Sequence, residues 1–236
     1  MPFRFVSALL LFAALLPATS QAQTTVSGIQ DKSGWISEPD IWAKGTHKPV
    51  FWMKQNVSSP SLDGQSAQFF LGGSVPYSSA LHHRKLTTTS ASVKNYVYDM
   101  MLYIDHPESA QALEFAVLQS VPGHWYKFST QCSYGQNLWR VYDALNHHWV
   151  NTSTKCERLP AFKWNHLTFE YQRTSDGKSR WIAITVNGTR HYINKTTTPG
   201  KITGKSYTLT AHFQMDGNRN QDDYSCWIDK MSVKYW

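Results

Sequence analysis

Residues 164–193 read WNHLTFEYQRTSDGKSRWIAITVNGTRHYI. Three segments of alternating apolar and polar residues, 164–173, 180–187 and 190–193, are separated by Asp176-Gly177 and by Asn187-Gly188. Successive side chains of a strand point to opposite faces, so this alternation marks half-buried strands. Asp-Gly and Asn-Gly tolerate the positive φ that a tight hairpin demands. The stretch reads as a three-stranded antiparallel meander.

The same pattern extends outward. Runs rich in Tyr, Trp, Phe, Val and Thr recur at 67–71, 94–105, 111–120, 124–132, 137–143, 147–150, 206–215 and 225–235. Such residues favour strands, and turn signals separate the runs. Residues 23–65 carry frequent Gly and Pro and read as loop-rich. The only helix-like stretch, 107–115, reads better as a turn followed by a strand. The fold class expected is all-β, a two-sheet antiparallel sandwich or jelly roll. Period two also sorts faces. Leu113, Phe115 and Val117 oppose Glu114, Ala116 and Leu118. Trp139 and Val141 oppose Arg140 and Tyr142. Phe213 and Met215 oppose His212 and Gln214.

The chain has 236 residues, 14% of them aromatic and 17% charged. That suits one domain with a sizeable core and argues against disorder. Arg4, the apolar run 6–16, Pro17 and the small residues Ser20 and Ala22 together read as a secretory leader over 1–22. Residues 23–236 then form one sandwich domain in an extracellular or periplasmic protein. No run is long enough to span a bilayer, so stable membrane insertion is not expected. The net charge of +7 is scattered, with one short basic group at His82-His83-Arg84-Lys85. Nucleic-acid binders concentrate charge on one face, so that partner is not expected. Oligomeric state leaves no mark on the sequence. Four Asn-x-Ser/Thr triplets, at Asn56, Asn151, Asn187 and Asn194, carry meaning only in a eukaryotic host.

The meander, with its W-x-x-L opening and Asn-Gly turn, resembles the laminin-G and concanavalin A-like lectin/glucanase superfamily. So does the C-terminal run Trp227-Ile228-Asp229-Lys230-Met231-Ser232-Val233. The runs Ala112-Leu113-Glu114-Phe115, Thr130-Gln131-Cys132 and Asp223-Tyr224-Ser225-Cys226-Trp227 also look like a group of secreted bacterial proteins with no assigned activity. The resemblance implies two antiparallel sheets and a carbohydrate groove on the outer face of one of them. Retaining glucanases of this kind carry Glu-x-Asp-x-Glu on one groove strand. Here Glu114 is present, but Ala116 and Leu118 stand in the other two places. Asp99 or Glu170, from another strand, is then the candidate second carboxylate.

Other groups complete the site expected. Tyr103, Trp125, Gln131, Trp139, Arg140, His212 and Gln214 are candidate ligand contacts, since flat rings stack on sugars and polar side chains bond their hydroxyls. Trp35, Trp42, Trp52 and Trp149 are further ring candidates. His124, Tyr126, Tyr142 and His212 are the residue types of a lyase acid and base, without a motif. Asp216, Asn218, Asn220 and Asp222 offer oxygens at alternate positions, as a structural calcium requires. No cofactor is required otherwise. Cys132 and Cys156 are expected to form a disulfide and Cys226 to stay free and buried.

The first function expected is binding of a polysaccharide or oligosaccharide in a groove. The alternatives are a glycan-cleaving enzyme, hydrolase or lyase, acting through Glu114, and an adhesion module that binds protein.

Overall fold

A computed structural model describes residues 22–40 and 48–236. The expected leader lies outside the described residues, except for Ala22, and so does Trp42. The strands are β1 (Thr24–Ser27), β2 (Trp35–Pro39), β3 (Pro49–Val57), β4 (Ser66–Gly73), β5 (Ser79–Thr87), β6 (Asn95–Ile104), β7 (Ala110–Val121) and β8 (His124–Ser133). Then come β9 (Leu138–Asp143), β10 (His148–Lys155), β11 (Trp164–Arg173), β12 (Ser179–Val186), β13 (Thr189–Thr197), β14 (Gly200–Lys201), β15 (Thr208–Gly217) and β16 (Tyr224–Tyr235).

The meander forms as its sequence requires. Phe169 faces Ile184 across β11 and β12, and Ala183 faces Tyr192 across β12 and β13. Asn187 and Gly188 both take positive φ, 49° and 84°, at the tight turn. The first hairpin is longer. Thr174 closes it by accepting the Lys178 N–H through Oγ1, with Gly177 at φ 77°.

Among the described residues sixteen strands divide into two eight-stranded antiparallel sheets, the two-sheet sandwich expected. The first sheet runs β13-β12-β11-β6-β16-β4-β3, with β1 against β16. The second runs β10-β9-β8-β7-β15-β5-β2, with β14 against β8. The loop-rich expectation for 23–65 is corrected, because β1, β2 and β3 lie there. β2 and β3 sit at sheet edges, where Pro39 and Pro49 cost no ladder bond.

Buried rings join the sheets. Phe115 of β7 stacks on Phe169 of β11 at 4.8 Å, and Phe213 of β15 meets Phe69 of β4 at 5.1 Å. Three polar tips reach across the core to backbone carbonyls of the second sheet. Trp181 Nε1 donates to Ser129 O, Tyr98 Oη to His212 O, and Tyr171 Oη to Phe115 O. Each donor is thereby satisfied while buried, and β7, β8 and β15 are pinned from beneath. His82, in the basic group, points inward rather than to solvent. It is bonded to Ser37 Oγ at 2.8 Å, and burial, then His83, pushes its pKa down to about 3. Among the described residues no helix is long and apolar enough to cross a membrane.

Candidate functional site

Period-two alternation sends every second residue of the second sheet to its outer face, and the register aligns these residues across strands. One rung holds Glu38, Leu81, Gln214, Glu114, Gln131 and Arg140, on β2, β5, β15, β7, β8 and β9 respectively. The next holds His83, His212, Ala116 and Ser129, with Tyr142 and Trp149 paired on β9 and β10. Ala116 and Ser129 are small, so the centre of the second rung is a depression. Bulky side chains rise around it and enclose a groove of about 600 Å³. Trp125 stands at one wall, packed against Gly200, where any Cβ would overlap its indole.

Lys127 crosses the depression from one rung further along. Its Nζ lies 3.2 Å from Glu114 Oε1 and 4.7 Å from the centre of the Tyr142 ring. The contact with Glu114 is an ion pair. Burial pulls the ammonium pKa down, but Glu114 and Tyr142 outweigh it, and the net displacement is upward. Burial drives His212 well below the ordinary histidine range, and Lys127 and His83 push the same way, so the ring is neutral. Burial raises the Tyr142 hydroxyl despite the opposing Lys127. Gln131, with its carboxamide oxygen turned inward, accepts from Arg140 Nη2 at 2.8 Å and Trp149 Nε1 at 3.0 Å.

Asp216 enters the same groove from the end of β15. Its Oδ1 accepts from Gln214 Nε2 at 2.8 Å. Burial raises its pKa to about 7. Gln214 opposes that displacement, Glu114 and Asp40 add to it, and Arg140 opposes it. Among the described residues, three polar atoms at the groove, Arg140 Nε, His212 Nδ1 and Ser79 Oγ, are buried with no hydrogen-bond partner, and Glu114 Oε1 has only its ion pair with Lys127.

Of the residues expected at the site, Glu114, Trp125, Gln131, Arg140, His212 and Gln214 line this groove together. Three are elsewhere. Asp99 is on β6, on the outer face of the other sheet, where it accepts from His166 Nε2 at 2.9 Å and Thr168 Oγ1 at 2.5 Å. It cannot partner Glu114 through the thickness of the sandwich. Tyr103 lies on that same far face, between Trp164 and Trp227. Trp139 is in the core against Phe169, because its neighbour Arg140 takes the groove side.

The four oxygens expected at a calcium are divided. Asp216 turns into the groove, and Asn218 Oδ1 accepts the N–H groups of Asn220 and Gln221. Asn220 and Asp222 lie in the exposed loop. The Cys132–Cys156 disulfide is formed, with Cα atoms 5.9 Å apart, and Cys226 is free and buried.

Lys127 and His83 were not among the residues expected. Alternation along 124–132 places Lys127 on the face of Gln131, so that signal was available. His83 had none, because β5 does not read as a strand.

No family model matches the sequence, and no curated protein matches it. Solved structures do. Cip1, a cellulose-induced protein, aligns with TM-score 0.49 and 12% identity over 86% of this chain and 92% of its own. Alginate lyase Aly36B aligns with TM-score 0.48 and 9% identity over 73% and 81%. Arcelin-5, a lectin-like defense protein from Phaseolus vulgaris, gives 0.44 and 12% over 86% and 99%. Identities of this size concern the fold and nothing finer.

Proposed function

We propose that the protein binds a polysaccharide or oligosaccharide in the outer groove of the second sheet. The observation that carries this reading is the pairing of buried polar atoms that have no hydrogen-bond partner among the described residues with aromatic rings on the walls. Each such atom costs about 1–3 kcal/mol until a partner bonds it, and sugar hydroxyls offer both donors and acceptors. Trp125, Tyr142 and Trp149 present the flat surfaces on which a pyranose face packs. A groove of about 600 Å³ falls in the usual range for ligand sites. Lys127 and Arg140 share the groove with Glu38, Asp40 and Glu114, so it has no surplus of positive charge and suits a neutral chain.

Titration calorimetry against neutral and acidic polysaccharides tests this. Binding to a neutral chain is expected, and Trp125→Ala should weaken it about tenfold, which is 1.4 kcal/mol. Failure of every glycan to bind the folded protein, or binding indifferent to Trp125→Ala, overturns the reading.

A further inference from the structure

We propose that the groove also hydrolyses the chain it holds, with Asp216 donating a proton to the glycosidic oxygen and Glu114 acting as base for the attacking water. The inference rests on the binding reading above.

The geometry supplies a second carboxylate that the strand of Glu114 lacks. Glu114 faces Gln214 across β7 and β15, and Asp216 lies two residues further along β15, on the same face. Such a diagonal pair has its backbone positions roughly 7–8 Å apart, and both side chains enter the one groove. An inverting hydrolase keeps its carboxyl groups about 6.5–9.5 Å apart to leave room for a water, and a retaining one about 5–5.5 Å; the diagonal placement favours the wider arrangement. The register of β7 and β15 slips beside Asp216, which faces Ala112 while Gly217 faces Ala110. Gln111 is the extra residue of that bulge, and it lines the groove too. Bulges of this kind re-aim side chains beside sites.

The two acids also differ in surroundings, as acid and base must. Glu114 is paired with the Lys127 ammonium through Oε1. Asp216 is faced by Glu114 on β7, Asp40 beyond β2, Arg140 on β9 and Gln214 on its own strand. Burial and the two neighbouring carboxylates keep a proton on it near neutral pH.

The step balances with water alone. The Asp216 proton passes to the glycosidic oxygen as the C1–O bond breaks. Water oxygen bonds to C1 from the opposite face and gives its proton to Glu114. The products are a free hydroxyl on the leaving sugar and an inverted anomeric hydroxyl, after which solvent returns both acids to their starting states. Lys127 is a positioning residue that holds Glu114.

The test uses the full chain on each polysaccharide that calorimetry shows it to bind. Reducing ends and the anomer first formed are followed by proton NMR. Asp216→Asn and Glu114→Gln are each expected to lower turnover by at least about 10²-fold while affinity stays within about tenfold. The Glu114→Gln, Lys127→Met double variant removes the unpaired cation if the single variant is unstable, and should be equally inactive. Bound glycan that the wild type leaves intact overturns the hydrolysis while the binding reading stands. A retained anomer, an unsaturated product, or turnover unchanged in Asp216→Asn also overturns it. Absence of any binding sinks the reading beneath it as well.

Discussion

Replacing Asp216 by asparagine should stabilise the protein, and should do so only above acidic pH. The carboxyl titrates near 7 in the folded chain against an ordinary value of 3.8. A raised acid pKa means that the native state holds the proton more tightly than the unfolded chain. Stability is therefore unaffected below about pH 4, falls as pH rises toward 7, and levels off above it. The displacement, at 1.36 kcal/mol per pH unit, sets an upper limit of about 4 kcal/mol. The substituted amide would stay neutral throughout and could still accept from Gln214 through its oxygen. The gain of the variant over wild type should grow from near zero at pH 4 toward that limit at pH 8.5. For a chain of this size each kcal/mol moves Tm by about 2–4 °C. Thermal melts of both proteins across that pH range measure it. A difference that does not change with pH, or a variant less stable than wild type at pH 8.5, refutes the reasoning.

Reducing the Cys132–Cys156 bridge, which spans a separation of 24 residues, should cost roughly 3 kcal/mol and lower Tm. Alkylation without reductant should label one thiol, Cys226, and only in denaturant; labelling of the native protein would contradict its burial. Phe213→Ala, which empties the contact between Phe69 and Phe115, should cost about 3–5 kcal/mol in chemical denaturation. Glu114→Gln strands the buried Lys127 and should destabilise by about 3 kcal/mol. Adding Lys127→Met should recover most of that loss, and a purely additive double variant would show that the pair is not coupled.

The meander was legible because its information is local. An Asn-Gly turn and alternation on both sides leave one arrangement for residues 180–193. Faces within strands were equally legible, as Glu114 and Phe115 show. What alternation cannot reveal is the sheet that a strand joins. β6 and β7 are consecutive in the chain but lie in opposite sheets, and this moved Asp99 and Tyr103 to the far face. β5 escaped notice because His82-His83-Arg84-Lys85 reads as a solvated group. In the fold His82 is core and His83 is groove. Asp216 read as the first residue of a polar loop, since the apolar alternation of β15 ends at Met215. The strand continues to Gly217, held there by pairing with β7 and β5 that only the assembled sheet provides.

Thr24 pairs with Tyr235, so the first strand and the last lie side by side in the first sheet. The groove opens from the outer face of the second. A fluorophore or a bead attached at Thr24 or at Tyr235 would therefore sit behind the molecule. Immobilised through either of these two residues, the protein presents its groove away from the support.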